Sequence, residues 1–213
     1  MLDIELKGEN LKLLPERAIW WPSESTLIIA DLHWGKAGHF RKNGIAIPHS
    51  AQPKDELRLA KIIKETNAER LFIAGDLFHS RDNKEVDNFT YWRREHSQLQ
   101  IDLVIGNHDI LPKEKYEGWQ MQWHTNSYCI GPFCIAHDEQ QDTELYTIHG
   151  HIHPAVMING KGHQAGMKLC CFAQDAKHFI LPAFGSFTGS HIIDKNGYQH
   201  IYVIAESEVI QWK

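Results

Sequence analysis

Hydrophobic and polar positions alternate in blocks along this chain, and five short apolar runs each stop at a residue that can bind a metal. Residues 26–30 run apolar up to Asp31, 70–75 up to Asp76 and 102–106 up to Asn107. Residues 133–136 lead to His137, and 145–148 lead to His149-Gly150-His151-Ile152-His153. Runs this short and rich in β-branched residues predict buried strands rather than helices. A ligand after the last apolar residue falls at the carboxyl end of its strand, where open α/β sheets build their sites.

Between these runs the pattern lengthens. Pro53 suits a first helical position, and Leu57, Ala60 and Ile63 make an apolar stripe that ends near Asn67. Asp82 or Asn83 can cap a second helix that carries Val86 and Phe89 on one face. The first half therefore predicts strand–helix–strand–helix–strand, a unit that implies a parallel sheet. Ahead of it, residues 2–21 alternate around Gly8 and Pro15 and predict two short antiparallel strands at a sheet edge.

The second half predicts strands in succession: 129–130, 133–136, 145–148, 168–173, 178–181, 198–204 and 208–212. Gly160-Lys161-Gly162 and Asn196-Gly197 look like hairpin turns. Two packed sheets with helices outside accommodate both halves. No linker or shift in composition divides the 213 residues, so a single domain over 1–213 is expected.

Charge and cysteines narrow the setting. A net charge of −5 leaves no global positive field for nucleic acid, so any such contact must come from a local patch. Cys129, Cys134, Cys170 and Cys171 form no CxxC pair and read as buried free thiols of a reducing compartment. The first residues lack a basic region followed by an apolar stretch, and no run is long enough to span a bilayer. A soluble cytoplasmic protein with no membrane association is expected.

The chemistry sits at the run ends. Asp31-Leu32-His33 sets a carboxylate and an imidazole two residues apart, and Asp76 is followed by His79. Gly106-Asn107-His108-Asp109 adds an amide oxygen, an imidazole and an acid, and His137, His151 and His153 complete the set. Oxygen and imidazole donors without thiolate suit Mn²⁺, Fe or Zn²⁺. Seven candidate ligands exceed the needs of one catalytic ion, and two ions sharing a carboxylate can grip a phosphoryl oxygen. Glycines beside the ligands are expected to keep the backbone slim where substrate approaches.

In order along the chain, Asp31-x-His33, Gly75-Asp76-x-x-His79, Gly106-Asn107-His108-Asp109, His137 and Gly150-His151-x-His153 resemble the motif series of calcineurin-like metallophosphoesterases. The resemblance implies a four-layer α/β/β/α fold, a two-sheet sandwich flanked by helices. It implies that Asp31, His33 and His153 hold one ion, that Asn107, His137 and His151 hold the other, and that Asp76 bridges. His108 resembles the histidine that protonates the leaving oxygen and Asp109 the acid that orients it. His79 matches a histidine that contacts the scissile phosphate in SbcD-type repair nucleases.

A finer resemblance runs through Ala30-Asp31-Leu32-His33-Trp34-Gly35-Lys36, Phe40-Arg41 and residues 44–48, and again through 181–188. These stretches are similar to the bacterial DNA-ligase-associated subfamily of DNA-damage-response endonucleases, which are encoded with a ligase, a helicase and an exonuclease. The resemblance implies a DNA phosphodiesterase of repair acting on single-stranded or looped DNA, with Mn²⁺ the expected metal. Arg41 is a candidate phosphate contact because its planar fork matches phosphate oxygens; Lys36 and Lys42 share its loop. Among the tryptophans, Trp34 is the candidate for base stacking, whereas Arg93-Arg94 near a helix end and His149 off the ligand pattern read as structural. His124 and His39 read as loop residues.

The rival within enzymes is a small-molecule phosphatase or nucleotide phosphodiesterase, because the same site hydrolyses many phosphate esters. A non-catalytic scaffold would lack a ligand or His108, and none is missing.

Overall fold

Strand follows strand through most of the computed structural model, which describes residues 1–36, 51–79, 84–140, 143–158 and 166–213. Seven strands form the first sheet: β1 (Leu2–Leu6), β2 (Glu9–Leu14), β3 (Ala18–Trp21), β4 (Thr26–Ile29), β5 (Arg70–Ala74), β6 (Gln100–Val104) and β7 (Gln122–His124), in that spatial order. Strands β1 to β4 pair antiparallel and β4 to β7 parallel. Helix α1 (Ala51–Thr66) connects β4 to β5, α2 (Lys84–Glu95) connects β5 to β6, and α3 (Lys113–Gly118) precedes β7. The expected strand–helix–strand–helix–strand unit is present. The N-terminal segment forms three strands rather than two, because the stretch after Pro15 turns back at Arg17 and pairs again as β3.

The second sheet has nine strands: β8 (Ser127–Ile130), β9 (Phe133–Ala136), β10 (Tyr146–His149), β11 (Pro154–Ile158), β12 (Met167–Gln174), β13 (His178–Ile180), β14 (His191–Ile192), β15 (His200–Ala205) and β16 (Glu208–Gln211). Their order is β14-β11-β12-β13-β10-β9-β8, with β15 and β16 extending from β12. Strand β10 runs parallel to both β9 and β13. Asn196-Gly197 is not a hairpin turn: it closes a short 3₁₀ turn, and the strands on either side pair with different partners.

Strand periodicity explains why the apolar runs show no alternation. In β4 and β5, Leu27, Ile29, Leu71 and Ile73 face the helices, while Ile28, Phe72 and Ala74 face the second sheet. Both faces are buried, so every position after the first residue of each strand is apolar. Against Leu71 and Ile73 pack Leu59 and Ile62 of α1 and Val86, Phe89 and Trp92 of α2. Leu57 is exposed; the buried stripe of α1 is Asp55, Leu59 and Ile62. Both stripes fit a helical period, and the burial of Asp55 against the segment at Ser186 decides between them.

The expected two-sheet α/β fold is present, and among the described residues the helices pack on the first sheet. The outer face of the second sheet, with Val156, Cys171, Ala173, Ile180, Ile201 and Val203, is capped instead by Ile193 and Tyr198. The cysteines are free, but Cys129 is exposed, because it faces outward on the edge strand β8. No helix is long and apolar enough to cross a membrane among the described residues.

One charged cluster braces the sheet opposite the helices. Asp102 is fully buried on β6 and accepts bonds from Arg70 Nε at 2.8 Å, Gln100 at 3.0 Å and His124 Nε2 at 3.0 Å. His124 is therefore a strand residue with a partner rather than a loop residue. Burial pushes the Asp102 carboxyl up, but the bonds from Arg70 and His124 outweigh it and hold it below the ordinary carboxylate value. A depressed folded-state value gives stability that is present above the unfolded carboxylate pKa and lost as pH falls through the folded one. Asp102→Asn leaves Arg70 without its charged partner and should cost ~3 kcal/mol at neutral pH. Urea midpoints at pH 7 and pH 3 check this: the gap between variant and parent should narrow at low pH, and an unchanged gap would refute the linkage.

Candidate active site at the strand ends

The carboxyl ends of β4, β5 and β6 in one sheet and of β9 and β10 in the other meet along a shared edge. Asp31, Asp76, Asn107, His137, His151 and His153 leave from these ends, as their places after the apolar runs predict. Backbone bonds lock the edge: Asp31 N–H donates to Gly75 O at 3.1 Å and His33 N–H to Asp76 O at 2.9 Å. Phe184 and Gly185 donate to the carbonyls of Ala30 and Asp31, tying the segment after β13 to the same edge.

Five of the candidate ligands have left-handed backbones: Asp31 (φ 53°), His33 (48°), Asp76 (53°), His151 (66°) and His153 (52°). Each costs a non-glycine residue ~1–2 kcal/mol, and such strain collects where geometry serves function. Sharp left-handed turns let the chain reverse at each strand end while the side chain swings into the shared space.

The side chains form two groups around Asp76. His33 Nε2 lies 3.7 Å from Asp76 Oδ2, and His137 Nε2 lies 3.7 Å from Asp76 Oδ1. On the first side, His153 Nε2 is 3.2 Å from Asp31 Oδ1. On the second, His137 Nε2 is 2.8 Å from Asn107 Oδ1 and 3.1 Å from His151 Nδ1. Among the described residues, two triplets of acids and histidines have donor atoms close enough to hold an ion, Asp31–His33–His153 and Asp31–Asp76–His137. Asp31 belongs to both, since its Oδ1 is also 3.9 Å from His137 Nδ1.

The donors fit a metal on physical grounds. Asp31 Oδ1 and His153 Nε2 are buried and, although 3.2 Å apart, make no hydrogen bond with each other or with any other group, a costly state for polar atoms unless a cation satisfies them. Burial, reinforced by Lys36 and the neighbouring histidines, pushes the His33 imidazole down to about 2, so it stays neutral as a ligand must. Asp76 is pushed up, first by burial, while its Oδ1 accepts the His108 N–H at 2.9 Å.

The glycines serve the ligands rather than the substrate. A Cβ on Gly75 would lie 2.1 Å from His137 Nδ1, and one on Gly150 would lie 2.4 Å from Asp31 Oδ2. The expected role was room for substrate; the room is taken by the side chains of the site itself.

His79 and His108 stand beside the first group, their rings 5.3 Å from His33 and 5.1 Å from each other. Asp109 does not touch the His108 ring: its Oδ1 accepts the Phe78 N–H at 2.9 Å and its Oδ2 the Gly106 N–H at 3.0 Å. Both oxygens are thus taken by the two loops that carry Asp76 and Asn107, and Asp109 pins those loops together. Burial pushes its carboxyl up to about 7.

Three other expectations resolve here. Trp34 is buried against Phe89 and Trp92, with ring centroids at 5.0 and 5.7 Å, so it is core and not a stacking platform. His149 is a packed strand residue whose Nδ1 meets Gly150 O at 3.1 Å. Arg93 donates to the carbonyls of Trp119 and His96, a structural clamp. Arg41, with His39, Lys42, Asp82, Asn83 and Gly160 to Gly162, lies outside the described residues. Sequence reasoning missed the brace of Asp55 with Arg58 and Ser186, which holds the 184–188 segment against α1. An acid inside a polar helix face carries no signal of that contact.

Paired oxygen and imidazole donors at the edge of a two-sheet sandwich define a metal-dependent phosphoester hydrolase. The family model for calcineurin-like phosphoesterases matches residues 25–170, and the chain belongs to that family. Among solved structures it is similar to a Pseudomonas putida nuclease, MPE, with 29% identity over 99% of this chain and 98% of that one and a TM-score of 0.85. It also matches Yfce, a phosphoesterase from E. coli, at 14% identity over 87% of this chain and 96% of the other; the TM-score of 0.45 is too low to carry an argument. Comparison with curated protein sequences gives no match.

Proposed function

We propose that this protein is a two-metal phosphodiesterase that cuts DNA in repair, as the ligase-associated endonucleases do, and that residues 1–213 act as one cytoplasmic domain. The observation that carries the reading is Asp76, whose two oxygens face one histidine group each. Similarity along nearly the whole chain to a nuclease at 29% identity supports nucleic acid as the substrate class.

In this reading Asp31, His33 and His153 would hold one ion and Asn107, His137 and His151 the other, with Asp76 as the shared carboxylate. When bound, the ions, Mn²⁺ by preference, supply Lewis acidity toward the phosphoryl oxygens and acidify the attacking water. His79 and Arg41 bind the scissile phosphate. His108 gives its proton to the departing sugar oxygen. Asp109 keeps the Asp76 and Asn107 loops in register, so that His108 meets the phosphate from a fixed backbone. A ligase, a helicase and an exonuclease are the proposed functional associates.

Metal-free protein supplied in turn with Mn²⁺, Zn²⁺, Fe²⁺ or Mg²⁺ tests the reading. Activity on bis-nitrophenyl phosphate and stem-loop DNA should be highest with Mn²⁺, and DNA cleavage should fall steeply with salt. Hydrolysis confined to nitrophenyl phosphate, insensitive to salt, would instead identify a small-molecule phosphatase, the reading that the net charge of −5 favours.

A further inference from the structure

Two stretches far apart in sequence, 32–36 and 185–188, meet in one narrow, half-open cleft beside the candidate metal site. Its walls include His33, Lys36, Asp55, Gly185, Phe187 and Thr188, so His33 borders both the cleft and the first group of ligands. Lys36 follows a tight turn, its N–H donating to His33 O at 3.0 Å. Its ammonium feels the Asp31 and Asp76 carboxylates, but among the described residues it pairs with neither. Opposite, Thr188 Oγ1 is buried and has no hydrogen-bond partner.

The acids of the cleft do not neutralise Lys36. Asp55 accepts the Ser186 N–H at 2.9 Å and pairs with Arg58 at 2.8 Å, and Glu56 has partners of its own. What is left among the described residues is a half-buried cation and a buried hydroxyl, both on residues that line one narrow space. His33 lines that space too and belongs to the first group of candidate ligands.

We propose that Lys36 and Thr188 bind the phosphate next to the one being hydrolysed, so that the cleft selects a polynucleotide strand over an isolated diester. This rests on the nuclease reading above. A tetrahedral anion fits the donors: the ammonium offers three rotatable N–H groups and the threonine one O–H. Gly185 shapes the opposite wall, since a Cβ there would lie 2.4 Å from Leu32 O and 3.0 Å from Thr188 Oγ1. A chain entering the metal site would thus be read one phosphate out, by contact with backbone and not with base.

The test compares thymidine dinucleotides that carry a terminal phosphate at the 5′ or the 3′ end with the bare dinucleotide, in Mn²⁺-loaded enzyme. In the parent, one terminal phosphate should lower KM by about tenfold, the worth of one charged contact of ~1.4 kcal/mol. Lys36→Met should erase that advantage, Thr188→Val should reduce it, and Lys36→Arg should restore it. On longer single strands Lys36→Met should also lower the salt slope by about one. Equal cleavage of all three dinucleotides by the parent would overturn the flanking site while leaving the nuclease reading intact. A loss in Lys36→Met that is equal for all three would overturn it too, by placing the lysine at the scissile group or in the fold. Parent enzyme that hydrolyses bis-nitrophenyl phosphate but no DNA of any form would end both.

Discussion

Asp76→Asn should remove turnover by about 10³-fold or more, equivalent to ~4 kcal/mol of transition-state stabilisation, and should lower the bound metal from two equivalents to one or none. Asparagine is the informative replacement. Asp76 has φ 53°, a conformation that Asn tolerates and Ala does not, so Asp76→Ala would mix backbone strain with lost ligation. Asn also keeps an oxygen that can accept the His108 N–H, the bond that now ties the second ligand loop to the first. What it lacks is the negative charge and the second oxygen that face His33 and His137 at 3.7 Å each. Metal content by elemental analysis, read beside activity on bis-nitrophenyl phosphate, decides the point. Two ions retained with turnover intact would refute the bridging role.

His108→Ala should behave differently. Its backbone N–H still donates to Asp76, so metal content should match the parent. Cleavage of DNA, whose leaving sugar oxygen needs a proton, should fall by ~10²–10⁴-fold, the usual worth of a positioned acid. Bis-nitrophenyl phosphate releases a stable phenolate and should lose less than about tenfold, because little proton transfer is required there. The contrast between the two substrates is the readout; equal losses on both would deny His108 the acid role and move it to phosphate binding. The His79 ring lies 5.1 Å from that of His108 and serves as the control. His79→Ala, as a loss of phosphate contact, should weaken both substrates alike.

Much of the site was legible in the sequence, for a local reason. A strand buried on both faces reads as an unbroken apolar run, so its end can be placed to within about two residues, as for β6, read as 102–106 and found at Gln100–Val104. That logic located Asp31, Asp76, Asn107 and His137 without any knowledge of the fold. It worked less well where packing chooses between equivalent patterns. The α1 stripe of Leu57, Ala60 and Ile63 fits a helical period as well as the buried set of Asp55, Leu59 and Ile62 does, and the packing of Leu59 and Ile62 with the contact of Asp55 to Ser186 sets the helix on its actual face. Trp34 was misread because its neighbours in sequence are ligands, while its neighbours in space are Phe89 and Trp92 of α2.

Asp109 shows the same limit within the site. Adjacency to His108 suggests that one side chain orients the other. In the folded protein the carboxylate is buried and turned away, and the N–H groups of Phe78 and Gly106 occupy its two oxygens. The cover of the second sheet's outer face was illegible for a further reason: Ile193 and Tyr198, which close it among the described residues, lie in a segment with no periodic pattern.

The sequence by itself determined the series of candidate metal ligands at the ends of buried strands, because donor type and strand burial are local properties of composition and spacing. Only the tertiary structure decided that Asp76 faces both histidine groups, that five candidate ligands stand on left-handed backbones, and that residues 32–36 and 185–188 close one cleft around Lys36. Those facts depend on how two sheets meet along one edge, and no spacing within a single strand encodes that meeting.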